Sequence, residues 1–387
     1  WGPFGVVPQF PVNEEAHVNR MRAWSDRTRQ AGWLWRAPLL GLMPNSGQSG
    51  GQDDFGASKL GWTWAGGALH LLEAYHSALH EASRPGIWYE VDGTRVLPWR
   101  HPDHVTWSGY THWHTSYSGD QLGKVGGIWP SWNGYLGPDR EHWSNNLLCG
   151  TYLLTGSPLL LAVIKKHAYQ FLSGDTLDPR LPGTSSPGPA RAIGRGLLAV
   201  AWAHRCLEPG SELEMRVQQR VHDRLVMIEA VTRPPAGAQV APLSTSGDPR
   251  RLGGVECWSW EEPLGLIGLR AAEVYFDQPI AGVILRRACA SWIAYGWWYD
   301  GAEWRMADVV AYLGGQAPPP NAYPTITNPR PVEPPLVDRT EGFEEWSIGA
   351  VLIATRVLDG ELRDKANQII AAFPVDSVRD AEWTAVS

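Results

Sequence analysis

The chain has 387 residues, of which 43% are apolar and 19% are charged, with a formal net charge of −7. These values are typical of folded globular proteins and exclude a disordered or collagen-like chain. No apolar run approaches the roughly 18 residues that a membrane-spanning helix needs, and no basic run is concentrated enough to hold nucleic-acid phosphates. The sequence therefore predicts no membrane span and no nucleic-acid partner.

The N-terminal third is predicted to contain helices and one β-hairpin. Residues 13–32 and 62–82 have helical periodicity. Asn13 is suited to cap the first helix, and acidic residues follow in its first turn, where the helix dipole favours them. The hairpin is predicted at 87–97, where two short runs of strand-forming residues flank Asp92-Gly93. Other strand signals are few, so at most a small β-hairpin is expected.

Residues 99–143 have no sustained helical or strand period and are rich in Trp, His and Gly. A structureless stretch of this length is usually functional or disordered, and its aromatic content argues against disorder. Sugar rings present an apolar face and a rim of hydroxyl groups, so a sugar site needs aromatic plates beside short polar groups. The alternative is that these indoles only pack loops onto helices. The candidate substrate-binding residues of this stretch are Trp107, His112, Trp113, His114, Lys124, Trp129 and Trp132.

A dense polar cluster, Asp139-Arg140-Glu141-His142, directly precedes a predicted helix. Asp139 or Glu141 is predicted to act as general acid or base, with His142 as its partner. The N–H groups at a helix start also favour an anionic ligand, and Asn145 lies there as a substrate-binding candidate. Helix capping, together with a surface ion pair to Arg140, is the competing interpretation.

From residue 144 onward, four segments share one plan of helix, short turn and second helix. These αα-hairpins cover 145–172, 190–228, 262–295 and 344–372, with turns at 155–158, 208–211, 277–279 and 359–360. The connections between them are long. Residues 318–335 contain eight prolines and are predicted to form an extended surface loop.

A second acidic cluster, residues 256–262, precedes the third hairpin. Glycoside hydrolysis usually employs two carboxyl groups, and Glu261 and Glu262 are candidates, with Trp258 and Trp260 as adjacent sugar platforms. The stretch 299–303 is a third source of carboxyl groups. A lyase would instead need a proton-abstracting group and a cation that neutralises a uronate. Arg195 is a candidate for that cation, so hydrolysis and β-elimination both stay open.

The hairpins resemble the α/α-toroid glycoside hydrolases and polysaccharide lyases over roughly residues 145–372. The resemblance rests on their arrangement, with Leu154-Thr155-Gly156-Ser157-Pro158 closing a helix that follows the 139–142 cluster. It implies a mainly α fold, an (α/α) toroid or incomplete toroid with long loops, in one domain spanning 1–387. Residues 1–143 would supply N-terminal helices and the Trp/His-rich region, and 144–387 the helical hairpins. It also implies a carbohydrate substrate.

A rival hypothesis is a non-catalytic glycan-binding or structural assembly protein. The Pro-rich segment and the long loops motivate it, because such loops can present aromatic side chains to partners. An extracellular or periplasmic location is favoured over others, and no pattern indicates an oligomeric state.

No organic cofactor is predicted. His76 and His80 lie four residues apart on a predicted helix, and His112 and His114 would lie on the same side of an extended segment, which leaves a divalent metal ion as an alternative. The zincin motif HExxH is absent. The four cysteines, Cys149, Cys206, Cys257 and Cys289, form no CxxC pair and are predicted to be small buried apolar residues.

Overall fold

A computed structural model of the chain describes residues 75, 78–79, 146–174, 190–232, 243, 254–258, 261–306, 309–313, 330–331 and 343–375. The chain divides into two compact units. The first contains Trp1–Thr176, Ala199–Gln218 and Thr340–Gly342, and the second contains Leu177–Leu198, Gln219–Arg339 and Phe343–Ser387. The predicted helix at 13–32 and the hairpin at 87–97 lie outside the described residues. Tyr75, Ala78 and Leu79, within the predicted helix at 62–82, are helical.

The described residues are mostly helical, and each of the four predicted helix pairs is confirmed. Numbered among the described elements, the helices are α1 Asn146–Thr155, α2 Pro158–Gly174, α3 Ala190–His204, α4 Glu212–Thr232, α5 Glu262–Tyr275, α6 Pro279–Tyr295, α7 Phe343–Val357 and α8 Gly360–Ala371. Pro158 and Pro279 open α2 and α6, where a missing N–H costs nothing because the first helical N–H groups have no partner inside the helix.

The turn between α1 and α2 is held by local hydrogen bonds in the first unit. Gly156 adopts a φ of 67°, which glycine tolerates without strain, and its N–H donates to the carbonyl of Tyr152. The hydroxyl of Thr155 donates to the Thr151 carbonyl at 2.7 Å. Tyr75 reaches this turn from far upstream, with its hydroxyl 3.1 Å from that of Ser157.

The turn between α3 and α4 is closed by side-chain hydrogen bonds similar to those of a capping box. Ser211 Oγ accepts from the N–H of Glu214, and the Glu214 carboxylate accepts from the N–H of Gly210, both at 3.3 Å. His204, the last residue of α3, places Nε2 2.6 Å from the same carboxylate. One buried carboxylate therefore joins the end of one helix to the start of the next.

The second unit contains more β structure than the single small hairpin expected from the sequence. The described strands are β1 Gly254–Trp258, β2 Trp297–Tyr299, β3 Trp304–Met306, β4 Val309–Leu313 and β5 Arg330–Pro331. They form two antiparallel sheets, one of β1 and β4 and one in the order β2-β3-β5. The expectation of at most a hairpin was therefore wrong, because β1, β4 and β5 gain their hydrogen-bond partners only through contacts distant in sequence.

Pro331 gives part of the Pro-rich segment an ordered position. It pairs with Arg305 in β5, the last strand in the order β2-β3-β5. Proline lacks an N–H and is tolerated in sheets mainly on edge strands. The rest of the predicted loop at 318–335 lies outside the described residues.

Helix α5 is the centre of the second unit. All but one of the residues from Glu262 to Ala272 are buried, and α5 packs against both α6 and α7. A helix that is apolar around its whole circumference is stable only inside a protein. Helix α5 therefore positions the elements around it.

Two glycines let α3 approach α5 at backbone distance. A methyl group built on Gly268 would lie 2.3 Å from the Gly194 carbonyl oxygen, and one on Gly194 would lie 1.9 Å from the Leu264 carbonyl oxygen. Carbon atoms do not approach oxygen so closely, so neither position accepts a side chain without separation of the helices.

Three cysteines confirm the prediction of buried thiols, because Cys149, Cys206 and Cys289 are buried and free. The side chain of Cys257 lies outside the described residues. Among the helices described, none has both the length and the apolar character to cross a bilayer.

We expect Gly268→Ala to lower the free energy of unfolding by about 1–3 kcal/mol, since the new methyl group must separate α3 from α5. Gly282→Ala on α6 is the matched control. Its methyl group would meet only the end of the Glu273 side chain, which can move, and alanine favours a helix over glycine by about 0.5–1 kcal/mol. Urea unfolding followed by circular dichroism would measure both. Equal stability of the two variants would contradict the close packing of α3 on α5.

Candidate functional site

The strand register connects two of the predicted carboxylate clusters within the second unit. Strand β1 leads into α5, and its last residue, Trp258, pairs with Val309, the first residue of β4. Val309 follows the end of β3, Met306, by three residues. The acidic start of α5, defined as Glu261 and Glu262, and the β2–β3 hairpin, residues 297–306, therefore belong to neighbouring parts of one unit.

Glu262 is anchored in the interior. It is 1% exposed, and its Oε2 accepts a hydrogen bond of 3.2 Å from the backbone N–H of Leu243. Burial raises the pKa of the Cys289 thiol, and the negative charges of Glu262 and Glu273 raise it further. One carboxylate oxygen of Glu262 is thus hydrogen-bonded to the backbone, so this residue has a structural role.

Glu261 is buried to the same extent at the start of α5. It is 1% exposed, occupies the N-cap position of α5, and makes no capping hydrogen bond with its side chain. The positive end of the helix dipole lies at this position and favours a carboxylate. Glu261 keeps its predicted place among the candidate catalytic carboxyl groups.

Arg195 is also buried, on the helix that packs against α5. It is 2% exposed and follows Gly194, whose backbone contacts that of Leu264, two residues after Glu262. The close approach of α3 to α5 thus juxtaposes the segments that carry the predicted uronate-binding cation and the predicted acids. A buried charge needs compensating groups nearby, and all three side chains are buried.

Asp300 organises the turn of the β2–β3 hairpin. Its Oδ1 accepts from the N–H groups of Ala302 and Glu303, both at 2.9 Å, and its Oδ2 accepts from Arg305. The bond from the Glu303 N–H, then the Arg305 side chain and the Ala302 N–H, lowers the pKa of Asp300 to about 2. A carboxylate held ionised in this way is unsuited to general acid catalysis.

Exposed aromatic surface lies next to this turn. Tyr299 is 52% exposed, and its ring meets the Trp304 ring edge-on with centroids 5.7 Å apart. Its hydroxyl donates to the Ala302 carbonyl at 3.1 Å, which fixes the ring across the turn. Glu303 and Arg305 form a partly exposed ion pair at 2.7 Å. An accessible aromatic ring beside charged hydrogen-bonding groups is the combination that sugar binding requires.

Lys365 supports the hairpin from α8. Its Nζ donates to the carbonyls of Ala294 and Trp297, at 3.0 and 2.6 Å, and lies 5.9 Å from the centre of the Trp304 ring. Burial lowers the pKa of Lys365 to about 8. The ammonium group thus satisfies a carbonyl at the C-terminal end of α6 and holds the hairpin against α8.

The buried side of the hairpin is also aromatic. Trp297 contacts Trp292 and Phe373 edge-on, with centroid separations of 5.5 and 6.2 Å. The hairpin therefore packs on aromatic side chains at Trp297. Tyr299, two residues further along the same strand, is exposed to solvent.

The sequence analysis did not predict this hairpin, although a signal was present. Asp300-Gly301 is the same dipeptide that led to the hairpin prediction at 92–93, and aromatic residues flank it on both sides. No sequence signal singled out Lys365, since its role depends on carbonyl groups about 70 residues away.

Many predicted site residues lie outside the described part of the chain. Trp258 ends β1, but its side chain is not described. The others outside the description are Trp107, His112, Trp113, His114, Lys124, Trp129, Trp132, Asp139, Glu141, His142, Asn145 and Trp260. Within the described residues, no group of three or more His, Cys, Asp or Glu side chains is placed to hold a metal ion. The predicted histidine pairs lie outside those residues.

Comparisons of the chain with protein-family models, curated proteins and solved structures give no match. The resemblance to α/α-toroid enzymes therefore stays a prediction from the arrangement of helical hairpins.

We expect Lys365→Met to change how stability depends on alkaline pH. The pKa of Lys365 is about 8 in the folded protein and that of an ordinary lysine is 10.5, so between these values the unfolded chain binds more protons. The free energy of unfolding of the native protein relative to the variant should therefore rise with pH across this window. The slope should approach about 1.4 kcal/mol per pH unit, and the difference should be flat below pH 8. Urea unfolding from pH 6 to 10.5 measures it, and a pH-independent difference would contradict the burial of this ammonium group.

Proposed function

We propose that this protein is a carbohydrate-active enzyme that cleaves glycosidic linkages by hydrolysis or β-elimination. Its scaffold would be an (α/α) toroid or incomplete toroid in one domain. The four helical hairpins support this scaffold, because such toroids are built from αα-hairpins joined by longer connections. A polysaccharide or oligosaccharide would bind in an aromatic-lined cleft.

The backbone contact between Gly194, the neighbour of Arg195, and the first turn of α5 is the observation that supports the proposal. A carboxyl group such as Glu261 can protonate a departing glycosidic oxygen, and a guanidinium group can neutralise a uronate. These segments are 66 residues apart in the sequence and meet only because α3 and α5 are in backbone contact. Such a set of groups suits an acidic sugar better than a neutral one.

The cluster at 139–142 keeps its own predicted role in the proposal. Glu141 or Asp139, with His142 as its partner, would act as general acid or base. Trp258, Trp260 and the aromatic residues of 99–143 would stack on sugar rings. No metal ion is required for this chemistry.

Burial of Glu261 and Arg195 makes a structural ion pair the competing explanation. The two roles differ in what they do to folding. Breaking a buried ion pair is strongly destabilising, whereas replacing a general acid by its amide leaves the fold intact and removes the transferable proton.

We expect Glu261→Gln to lower turnover about 100-fold or more without a change in melting temperature. The measurement is release of reducing ends, and absorbance of unsaturated uronate products, on a panel of neutral and uronate-containing polysaccharides. Glu273→Gln is the matched control on the same helix, since Glu273 is only part-buried and pairs with Arg270.

Native turnover in the Glu261→Gln protein would remove this residue from the mechanism. A fall in melting temperature that parallels the loss of activity would assign it a structural role instead. Which of the two products accumulates separates β-elimination from hydrolysis.

A second candidate function, glycan binding without cleavage, is favoured by the exposed aromatic ring of the hairpin. Tyr299 offers its ring to solvent while the surrounding charges hold the turn rigid. A preorganised aromatic surface binds without the entropic cost of ordering a loop.

We expect Tyr299→Ala to weaken polysaccharide affinity about threefold to tenfold, since aromatic stacking contributes about 0.5–1.5 kcal/mol. Tyr299→Phe keeps the ring, loses only the hydroxyl bond to Ala302, and should retain most of the affinity. Affinity electrophoresis in gels that contain each polysaccharide would measure both. Equal retardation of Tyr299→Ala and the native protein would exclude the hairpin as a sugar contact.

A further inference from the structure

Three polar side chains of the first unit converge at the turn between α3 and α4. His204 is the last residue of α3, and Glu214 and Gln218 lie one helical turn apart near the start of α4. Nε2 of His204 is 2.6 Å from Oε1 of Glu214 and 3.1 Å from Nε2 of Gln218. The amide of Gln218 also contacts the same Glu214 oxygen. Each of the three groups therefore touches the other two.

Hydrogen bonds alone do not account for this triangle. With Glu214 ionised, its contact to His204 needs a proton on Nε2 of the imidazole. An amide N–H of Gln218 can donate to His204 only if that same nitrogen carries no proton. If the amide is turned so that its carbonyl oxygen faces inward, two oxygen acceptors meet instead. In either arrangement one of the three contacts brings together two donors or two acceptors.

A metal cation removes this conflict, because it attracts the lone pairs of all three groups. The donors are then the unprotonated Nε2 of His204, Oε1 of Glu214 and the carbonyl oxygen of Gln218, which a half-turn of the amide exchanges with Nε2. Three atoms that all lie within 3.1 Å of one another leave a point about 2.0–2.2 Å from each, which is the distance of nitrogen and oxygen ligands from Zn²⁺.

The surroundings of the triangle are suited to a metal ligand set. The second oxygen of Glu214, Oε2, accepts a hydrogen bond of 3.3 Å from the N–H of Gly210, which orients the carboxylate. Carboxylates that bind metals are commonly held by such outer hydrogen bonds. The side chains of His204 and Glu214 are 17% and 9% exposed, and Gln218 is exposed. Water can therefore reach the three donors and complete a tetrahedral shell.

We propose that His204, Glu214 and Gln218 form a binding site for one Zn²⁺ ion, with water in the fourth position. The imidazole favours a transition metal over Mg²⁺ or Ca²⁺, which prefer ligand sets made of oxygen atoms. The site is independent of the proposed carbohydrate chemistry and is separate from the histidine pairs predicted from the sequence. The ion joins the end of α3 to the start of α4.

The test uses the full chain, stripped of metal with a chelator and dialysed against micromolar Zn²⁺, with bound zinc measured by elemental mass spectrometry. Because other histidines of the chain can also bind zinc, the measured quantity is the difference between the native protein and each variant. His204→Leu should bind one zinc ion fewer than the native protein. Gln218→Met should lower the affinity for that ion about 10-fold to 100-fold. It removes only an exposed amide, so it tests the site even if His204→Leu does not fold.

Gln219→Met is the matched control. Gln219 is the exposed neighbour of Gln218 on α4, and its amide binds Asp223 at 2.8 Å. This variant should bind as much zinc as the native protein. Zn²⁺ should also raise the melting temperature of the native protein by about 2–5 °C more than that of His204→Leu, because an ion that binds only the folded state stabilises it.

Equal zinc content of the native and His204→Leu proteins would overturn the proposal and leave the triangle as a hydrogen-bonded helix cap. An equal loss of affinity in Gln218→Met and Gln219→Met would also overturn it, since only the first amide belongs to the triangle. Stabilisation by Mg²⁺ as large as that by Zn²⁺ would contradict the role given to the imidazole.

Discussion

The second unit depends on the backbone contact between α3 and α5 at Gly194 and Gly268. Two helices can approach to this distance only where neither carries a side chain. The contact buries the first turns of α5 on every side, including the carboxyl groups of Glu261 and Glu262. Because buried charges must be compensated locally, this packing dictates where the polar groups of the interior lie, including the Leu243 N–H that binds Glu262.

In the hairpin between β2 and β3, the charged residues hold the turn in place, and one aromatic residue is exposed to solvent. Asp300 accepts hydrogen bonds from a backbone N–H of the turn and from Arg305, which holds the turn in place. Lys365 donates to a backbone carbonyl of α6 and attaches α8 to this region. Tyr299 is left to present its ring to solvent. The rigid polar turn therefore preorganises an aromatic surface, which is the property that a sugar-binding position needs. The acidic start of α5, in contrast, is buried.

Helix boundaries were predictable from local residues, whereas the strands were not. Pro158 and Pro279 are the first residues of their helices, and Ser211 caps the start of α4. Each of these boundaries depends on only a few neighbouring residues. Strands of two to five residues carry too little periodicity to be recognised. Their identity comes from partners such as Val309, opposite Trp258, about 50 residues away. The single-domain organisation and the site in residues 99–143 stay predictions.

The amino-acid sequence by itself determined that this is a mainly helical protein of paired helices with buried thiols, since helix periodicity, capping and apolar patterning act over a few residues. Tertiary structure alone decided that the backbone beside Arg195 contacts the first turn of α5, that Lys365 binds a carbonyl at the end of α6, and that Cys206 touches Cys149. Each of these contacts depends on how closely two distant backbones approach. That distance is decided by the packing of all the side chains between them, which no local pattern encodes.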